Sequence, residues 1–204
     1  MSEKPRVSVI IPVFRVEPFI RECLDSVVNQ TMMDPEIICV YTSSSDRSEE
    51  IVREYAARDP RFKVINKEDG GLPEARNVGL THASGEYIAF LDSDDYLETT
   101  CCERLYAVAK EQDADMTMFY FQCFGDIDKD SPPRDINRLT TITEPLQKLE
   151  TTFANWQTAW CSLYRHQFIR DQNLRFHYGL IFEDLPGKPT IFGPATTLGF
   201  PRSC

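Results

Sequence analysis

The sequence predicts an α/β protein built on a mostly parallel sheet flanked by helices. Two observations lead to this. Short, β-branched apolar runs recur along the N-terminal half, and each is followed by a segment with helical periodicity after a break rich in Pro, Ser or Gly. Strand-helix alternation of this length calls for right-handed crossovers, which place ligands beyond the carboxyl ends of the strands.

Val7-Ser8-Val9-Ile10-Ile11-Pro12-Val13 is short, β-branched and interrupted by a proline, as expected of a strand buried on both faces. Ile20, Cys23, Leu24, Val27 and Val28 then recur on one helical face. A second strand is expected from Glu36 to Tyr41, with Ser43 to Asp46 supplying turn and cap residues for a helix through Ile51, Val52, Tyr55 and Ala56. Phe62 to Ile65 reads as a third strand. Gly70-Gly71 breaks the chain before a helix from Leu72 to His82. Glu86 to Leu91 reads as a fourth strand, a helix containing Leu105, Val108 and Ala109 follows Leu97, and Asp115 to Phe121 reads as a fifth strand.

Residues 125–137 shift to Asp, Lys, Pro, Ser and Arg, which marks a solvated loop between a domain at 1–124 and a shorter region at 138–204 packed on it. That region carries helical patterns at Pro145 to Ala154 and Tyr164 to Asp171, an aromatic patch at Trp156 and Trp160, and Phe182-Glu183-Asp184.

A length of 204 residues suits one globular unit, and 42% apolar with 26% charged residues is ordinary for a folded protein. The net charge of −10 argues against binding to nucleic acid or an anionic membrane face, so an anionic substrate needs local positive charge or a metal. No apolar run reaches the roughly 18 residues of a membrane span, and the N-terminus lacks a signal-peptide core. A cytoplasmic protein is expected, with any membrane association peripheral. The seven cysteines form no C-x-x-C pair, and read as reduced, buried thiols.

The chemistry concentrates in Asp92-Ser93-Asp94-Asp95, where three carboxylates within four residues repel one another unless a cation or strong donors compensate them. One reading is a site for Mg²⁺ or Mn²⁺, whose hard-ligand preference suits carboxylate and phosphate oxygens. The other is an acidic turn that caps the next helix through Asp95. The residues alone leave these equal, and the position at the end of an apolar strand favours a site. In Gly70 to Gly79, Arg76 and Asn77 offer donors to a diphosphate, or Arg76 pairs with a nearby acid. Asp184 is a candidate general base. The histidines read as surface or packing residues, and Trp156 and Trp160 as packing rather than sugar-stacking residues.

Taken in order, VSVIIPVF, FIRECLDSVVNQT, EIICV, DGGLPEARNVGL, GEYIAFLDSDDYL, the LYR stretch after Trp160, and IFEDLP resemble the family 2 glycosyltransferases of the GT-A fold. The resemblance runs from about Val7 to Asp184. It implies a Rossmann-like donor domain, a nucleotide-diphosphate-sugar donor, commonly a uridine one, and a glycan or lipid-linked acceptor. It also implies Mn²⁺ or Mg²⁺ bridging the diphosphate and the Asp92-Ser93-Asp94 run, with Asp92 facing the ribose and Asp94 ligating the metal. Pro12, Val13 and Phe14 match the nucleoside floor, Arg76 and Asn77 match residues beside the diphosphate and sugar, and Asp184 matches the base of inverting members.

Two departures stand out. The family's Asp-Asp-Gly-Ser-x-Asp stretch is Tyr41-Thr42-Ser43-Ser44-Ser45-Asp46 here, which leaves Tyr41 or Thr42 to contact the base. The chain also ends twenty residues after Asp184, in a Pro/Gly-rich run. Both keep open an alternative, a noncatalytic donor-binding or assembly subunit. A nucleotidyltransferase is disfavoured, since the Gly-rich basic loop expected near the first strand is missing.

Overall fold

The computed structural model describes residues 4–32, 34–68, 70–119, 140–142 and 159–176. In chain order the elements are β1 (Val7–Val13), α1 (Ile20–Val28), β2 (Glu36–Thr42), α2 (Ser48–Ala56), β3 (Phe62–Lys67), α3 (Gly71–His82), β4 (Tyr87–Phe90), α4 (Cys101–Glu111), β5 (Met116–Met118), β6 (Thr140–Ile142), a 3₁₀ turn at Ala159–Cys161, β7 (Ser162–Arg165) and α5 (His166–Asp171). Among the described residues the strands form one seven-stranded sheet in the order β3-β2-β1-β4-β7-β5-β6.

The expected α/β architecture holds. β3, β2, β1 and β4 pair in parallel. β7 then inserts antiparallel between β4 and β5, and β6 pairs antiparallel with β5. Strand β5 therefore points the same way as β1 to β4, and the sheet is mostly parallel in direction. The strand at the first run is buried along its whole length. Its alternate residues enter two cores: Val9, Ile11 and Val13 pack with α1, α2 and α4 residues such as Leu24, Val52 and Leu105. On the other face Ile10 packs with Ala75 and Leu80 of α3 and Phe168 and Ile169 of α5. Helices on both faces are what a parallel sheet needs to bury its two apolar surfaces.

Two expectations require correction. The helix expected from Tyr164 to Asp171 begins at His166, because Ser162 to Arg165 is a strand. Leu163 and Tyr164 are buried on opposite faces of the sheet, Leu163 in the first core and Tyr164 in the second, a period of two that a helix does not supply. The fifth strand is shorter than expected, spanning Met116–Met118. The helix expected after Leu97 is present as α4 and carries Leu105, Val108 and Ala109. Trp160 packs partly buried against the second core. Cys23, Cys39, Cys102 and Cys161 are free and buried, and Cys101 is free and half-buried. Among the described residues no helix is long and apolar enough to cross a membrane. The expected segments at 125–137 and 145–154, together with Trp156, lie outside the described residues.

Candidate active site

The shared direction of β1, β2 and β4 brings three loops to one edge. Ile10 lies opposite Phe90, and Leu91 continues the pairing by donating its amide to the Ile10 carbonyl at 3.0 Å. Two residues further in this register, Asp92 stands level with Pro12. Val13 lies opposite Tyr41 across the β1–β2 pair. The residues expected to form a nucleoside floor and those expected to meet the diphosphate thus come to the same edge of the sheet, from segments about eighty positions apart.

Asp92, Ser93, Asp94 and Asp95 form a tight turn in which the Asp95 amide donates to the Asp92 carbonyl at 3.0 Å. Ser93 is buried, and Asp94 and Asp95 are exposed. Asp92 is compensated by Arg76, whose Nη2 reaches its Oδ1 at 2.8 Å while the guanidinium is fully buried. Desolvation by the surrounding chain, together with the neighbouring Asp92 and Asp94 carboxylates, pushes the Asp95 pKa up to about 6 although the residue is exposed. The capping reading fails: α4 begins at Cys101 with Thr100 at its cap position, so Asp95 is too far from the helix start to serve it.

Among the described residues no three metal-ligating side chains converge into a closed cage. Mg²⁺, however, is commonly held by only one or two carboxylates together with substrate phosphate oxygens. Asp94 and Asp95 are exposed hard oxygen donors, the ligand type such an ion takes.

The turn is braced from α1. The Gln30 side-chain amide donates to the carbonyls of Ser26 at 3.0 Å and Glu98 at 2.8 Å, and its Oε1 accepts the Cys102 amide at 2.9 Å. Ser26 Oγ accepts the Leu97 amide at 3.1 Å. The loop after the acidic turn is therefore tied down at both ends of its path.

A second bracket joins the loops after β1 and β2. Asp46 Oδ2 accepts the Glu17 amide at 3.1 Å and the Ser48 hydroxyl at 2.7 Å, and Ser44 Oγ donates to its Oδ1 at 2.5 Å. Ser48 Oγ accepts the Val16 amide at 3.0 Å, and Glu17 accepts the Arg47 amide at 3.0 Å. Burial opposes ionisation of Asp46, but these donors win and hold its pKa at about 2. Arg15, Glu17, Pro18, Ser45 and Asp46 line a shallow depression here. Phe14, half exposed, leads into this loop.

The other expected residues divide. Pro12 and Val13 are buried at the end of β1, and Thr42 is half-buried at the end of β2. Tyr41 is turned toward α2, where its hydroxyl accepts from Arg53 Nη2 at 2.6 Å. Asn77 directs its amide at the backbone of Phe176. Asp184 lies outside the described residues. The Gln30 and Asp46 brackets were not visible as functional features in the sequence. Asp46 was visible only as a turn residue beside α2, because its partner Glu17 lies 29 positions away.

A mixed, mostly parallel sheet flanked by helices, with an acidic turn after β4 and a buried arginine from α3, has the GT-A, Rossmann-like architecture. The glycosyl transferase family 2 model matches residues 8–172, and the chain belongs to that family. It is 40% identical over 197 residues to the uncharacterized glycosyltransferase EpsJ of Bacillus subtilis, covering 94% of this chain and 57% of that protein. Glycosyltransferase GlyA of Streptococcus pneumoniae is 34% identical over 191 residues, 88% of this chain and 27% of its own. Among solved structures, S. aureus TarS 1-349 in complex with UDP-GlcNAc superposes with a TM-score of 0.73 at 25% identity, covering 88% of this chain and 51% of TarS. The chain thus spans about half the length, or less, of these relatives.

Proposed function

We propose that the chain binds a nucleotide-diphosphate sugar, a uridine one, and transfers its sugar to a hydroxyl of a glycan or lipid-linked acceptor in a metal-dependent, inverting reaction. The observation that carries this reading is the acidic turn at the carboxyl edge of β4, backed by the buried Arg76–Asp92 pair. The UDP-GlcNAc complex of the TarS relative supports the choice of uridine. The site belongs on the cytoplasmic side, where such donors are expected, with 1–124 as the donor domain and 138–204 as the acceptor-side region.

In this reading Pro12, Val13, Phe14 and Thr42 seat the nucleoside, and Asp92 and Ser93 face the ribose. Tyr41 shapes the end of β2 from behind, through Arg53. Asp94, with Asp95 beside it, would hold Mn²⁺ or Mg²⁺, which when bound supplies positive charge against the departing diphosphate. Arg76, buried and oriented by Asp92, adds a fixed positive potential at the same edge. Asp184 removes the acceptor hydroxyl proton as that oxygen attacks the anomeric carbon, and the diphosphate leaves with the electrons of the broken bond.

Calorimetry with UDP-GlcNAc and Mn²⁺ tests the donor half. Asp94→Ala is expected to weaken binding at least tenfold, about 1.4 kcal/mol, with the fold intact by circular dichroism. No binding of any nucleotide sugar by the wild type would sink the reading. Asp184→Asn is expected to lower transfer by roughly 10²- to 10⁴-fold and to leave donor affinity unchanged. Donor binding by a wild type that never turns over would instead identify a noncatalytic donor-binding subunit.

A further inference from the structure

Asn77 follows Arg76 on α3, yet the two side chains serve different partners. Arg76 reaches across to Asp92. The Asn77 amide is spread over one residue of the chain that leaves α5: its Nδ2 donates to the Phe176 carbonyl at 2.9 Å, and its Oδ1 accepts the Phe176 amide at 2.9 Å. A side-chain amide that satisfies both backbone groups of one residue reproduces the paired exchange of an antiparallel ladder, here across 99 positions of sequence.

The clamped residue is built into the site. Phe176 is 3% exposed, its ring meets Phe90 edge-on at 5.0 Å between centroids, and the Arg76 guanidinium lies 5.2 Å from its centroid. Phe90 is the last residue of β4, two before Asp92. Leu174, fully buried, donates its amide to the Ile169 carbonyl at 2.9 Å and closes the end of α5. Leu174 and Phe176 are thus apolar anchors, and Asn77 is a polar lock that fixes the backbone at the second of them. A peptide unit buried without such a partner destabilises the fold.

We propose that Asn77 is a positioning residue: it locks Phe176 against α3, beside Phe90 and Arg76, and thereby serves turnover while donor affinity rests on its neighbours. This role rests on the proposed transferase reading, in which Arg76, whose guanidinium the Phe176 ring packs against, lends positive potential to the departing diphosphate. Removing the amide frees the Phe176 backbone, and with it the ring beside Arg76, and leaves the Arg76–Asp92 pair in place.

The test combines hydrogen exchange of peptides covering 174–176 with steady-state kinetics and calorimetry, using the full chain, UDP-GlcNAc and Mn²⁺. In Asn77→Ala, exchange at the Phe176 amide is expected to rise at least tenfold, kcat to fall at least tenfold, and the donor Kd and donor KM to stay within about threefold. Asn77→Asp retains an acceptor for the Phe176 amide and sets a carboxylate against its carbonyl; it is expected to give an intermediate rise in exchange and takes over the test if the alanine variant does not fold. Unchanged exchange in the folded variant overturns the proposal, as does a tenfold loss of donor affinity at unchanged exchange, which would make Asn77 a donor contact. If the wild type binds no nucleotide sugar, the transferase reading falls on its own and the exchange measurement alone decides whether Asn77 is a lock.

Discussion

Glu36 ties the amino ends of four segments together with one carboxylate. It accepts the Ser8 hydroxyl at 2.5 Å from β1, the Ser84 amide and hydroxyl at 2.8 and 2.7 Å from the turn before β4, and pairs with Lys63 of β3 at 2.5 Å. Burial pushes its pKa up, but the Lys63 ammonium and the Ser8 and Ser84 donors outweigh it, so the carboxyl titrates below its ordinary value of 4.5. A folded-state pKa below the unfolded one means that the unfolded chain binds the proton more readily. The stabilisation is therefore complete above pH 4.5 and is lost as the pH falls through the folded-state value. Urea midpoints are expected to drop as the pH is lowered from about 4.5, and Glu36→Gln is expected to flatten that slope and to cost about 1–3 kcal/mol at pH 7. Equal pH slopes in both proteins would refute this role. Glu36 differs from Asp92 to Asp95 in how far it could be read ahead: adjacent carboxylates announce themselves in sequence, whereas the partners of Glu36 sit up to 48 positions away and carry no local signal.

At the scale of elements, the contact between α3 and β1 sets how close the arginine-bearing helix lies to the sheet. Gly79 makes it possible, since a Cβ there would overlap Ile10 Cγ2 and come within 3.3 Å of its Cγ1. Ile10 is fully buried and its branched side chain has no room to swing away. Gly79→Ala therefore sets two effects against each other: about 1 kcal/mol gained in helix propensity and about 1–3 kcal/mol lost to overpacking. With the new methyl overlapping Ile10, the overpacking cost lies in the upper half of that range, about 2–3 kcal/mol, and a net loss of about 1–2 kcal/mol in urea denaturation is expected. Stability equal to or above wild type would show that α3 slides at no cost. Most elements were legible because their patterns are local: β1 and β2 as continuous apolar runs, α1 and α3 as periodic ones. Gly71, with a φ of 72°, adopts a left-handed angle that glycine takes without steric cost, at the break read before this helix. The segment at Tyr164 was misread because four residues cannot display a period of two convincingly beside a six-residue helix, and the strand is defined by neighbours far away in the chain, Ala89 and Ile88 on one side and Thr117 and Met116 on the other.

For the whole molecule, the decisive piece is β7. It fills the gap between β4, the strand that delivers the acidic turn, and β5, whose partners are β7 and β6. It also brings Leu163 into one core and Tyr164 into the other, so a single four-residue strand joins both layers. Arg165 extends the join by pairing with Asp115 at 2.9 Å and Asp113 at 2.6 Å, at the far side of α4. Without this strand β4 presents an open edge of unpaired backbone groups to solvent, its flanking apolar residues lose their cover, and an exposed flat edge recruits other chains. A chain ending at residue 119 is therefore expected to lack cooperative unfolding and to associate at micromolar concentration, whereas one ending at residue 176 keeps the sheet complete. Size-exclusion chromatography with urea unfolding followed by circular dichroism separates the cases. A monomeric 1–119 fragment with a single sharp transition would mean that the donor half folds without β7, and that the acidic turn is held by α1 and the β1–β4 pairing alone.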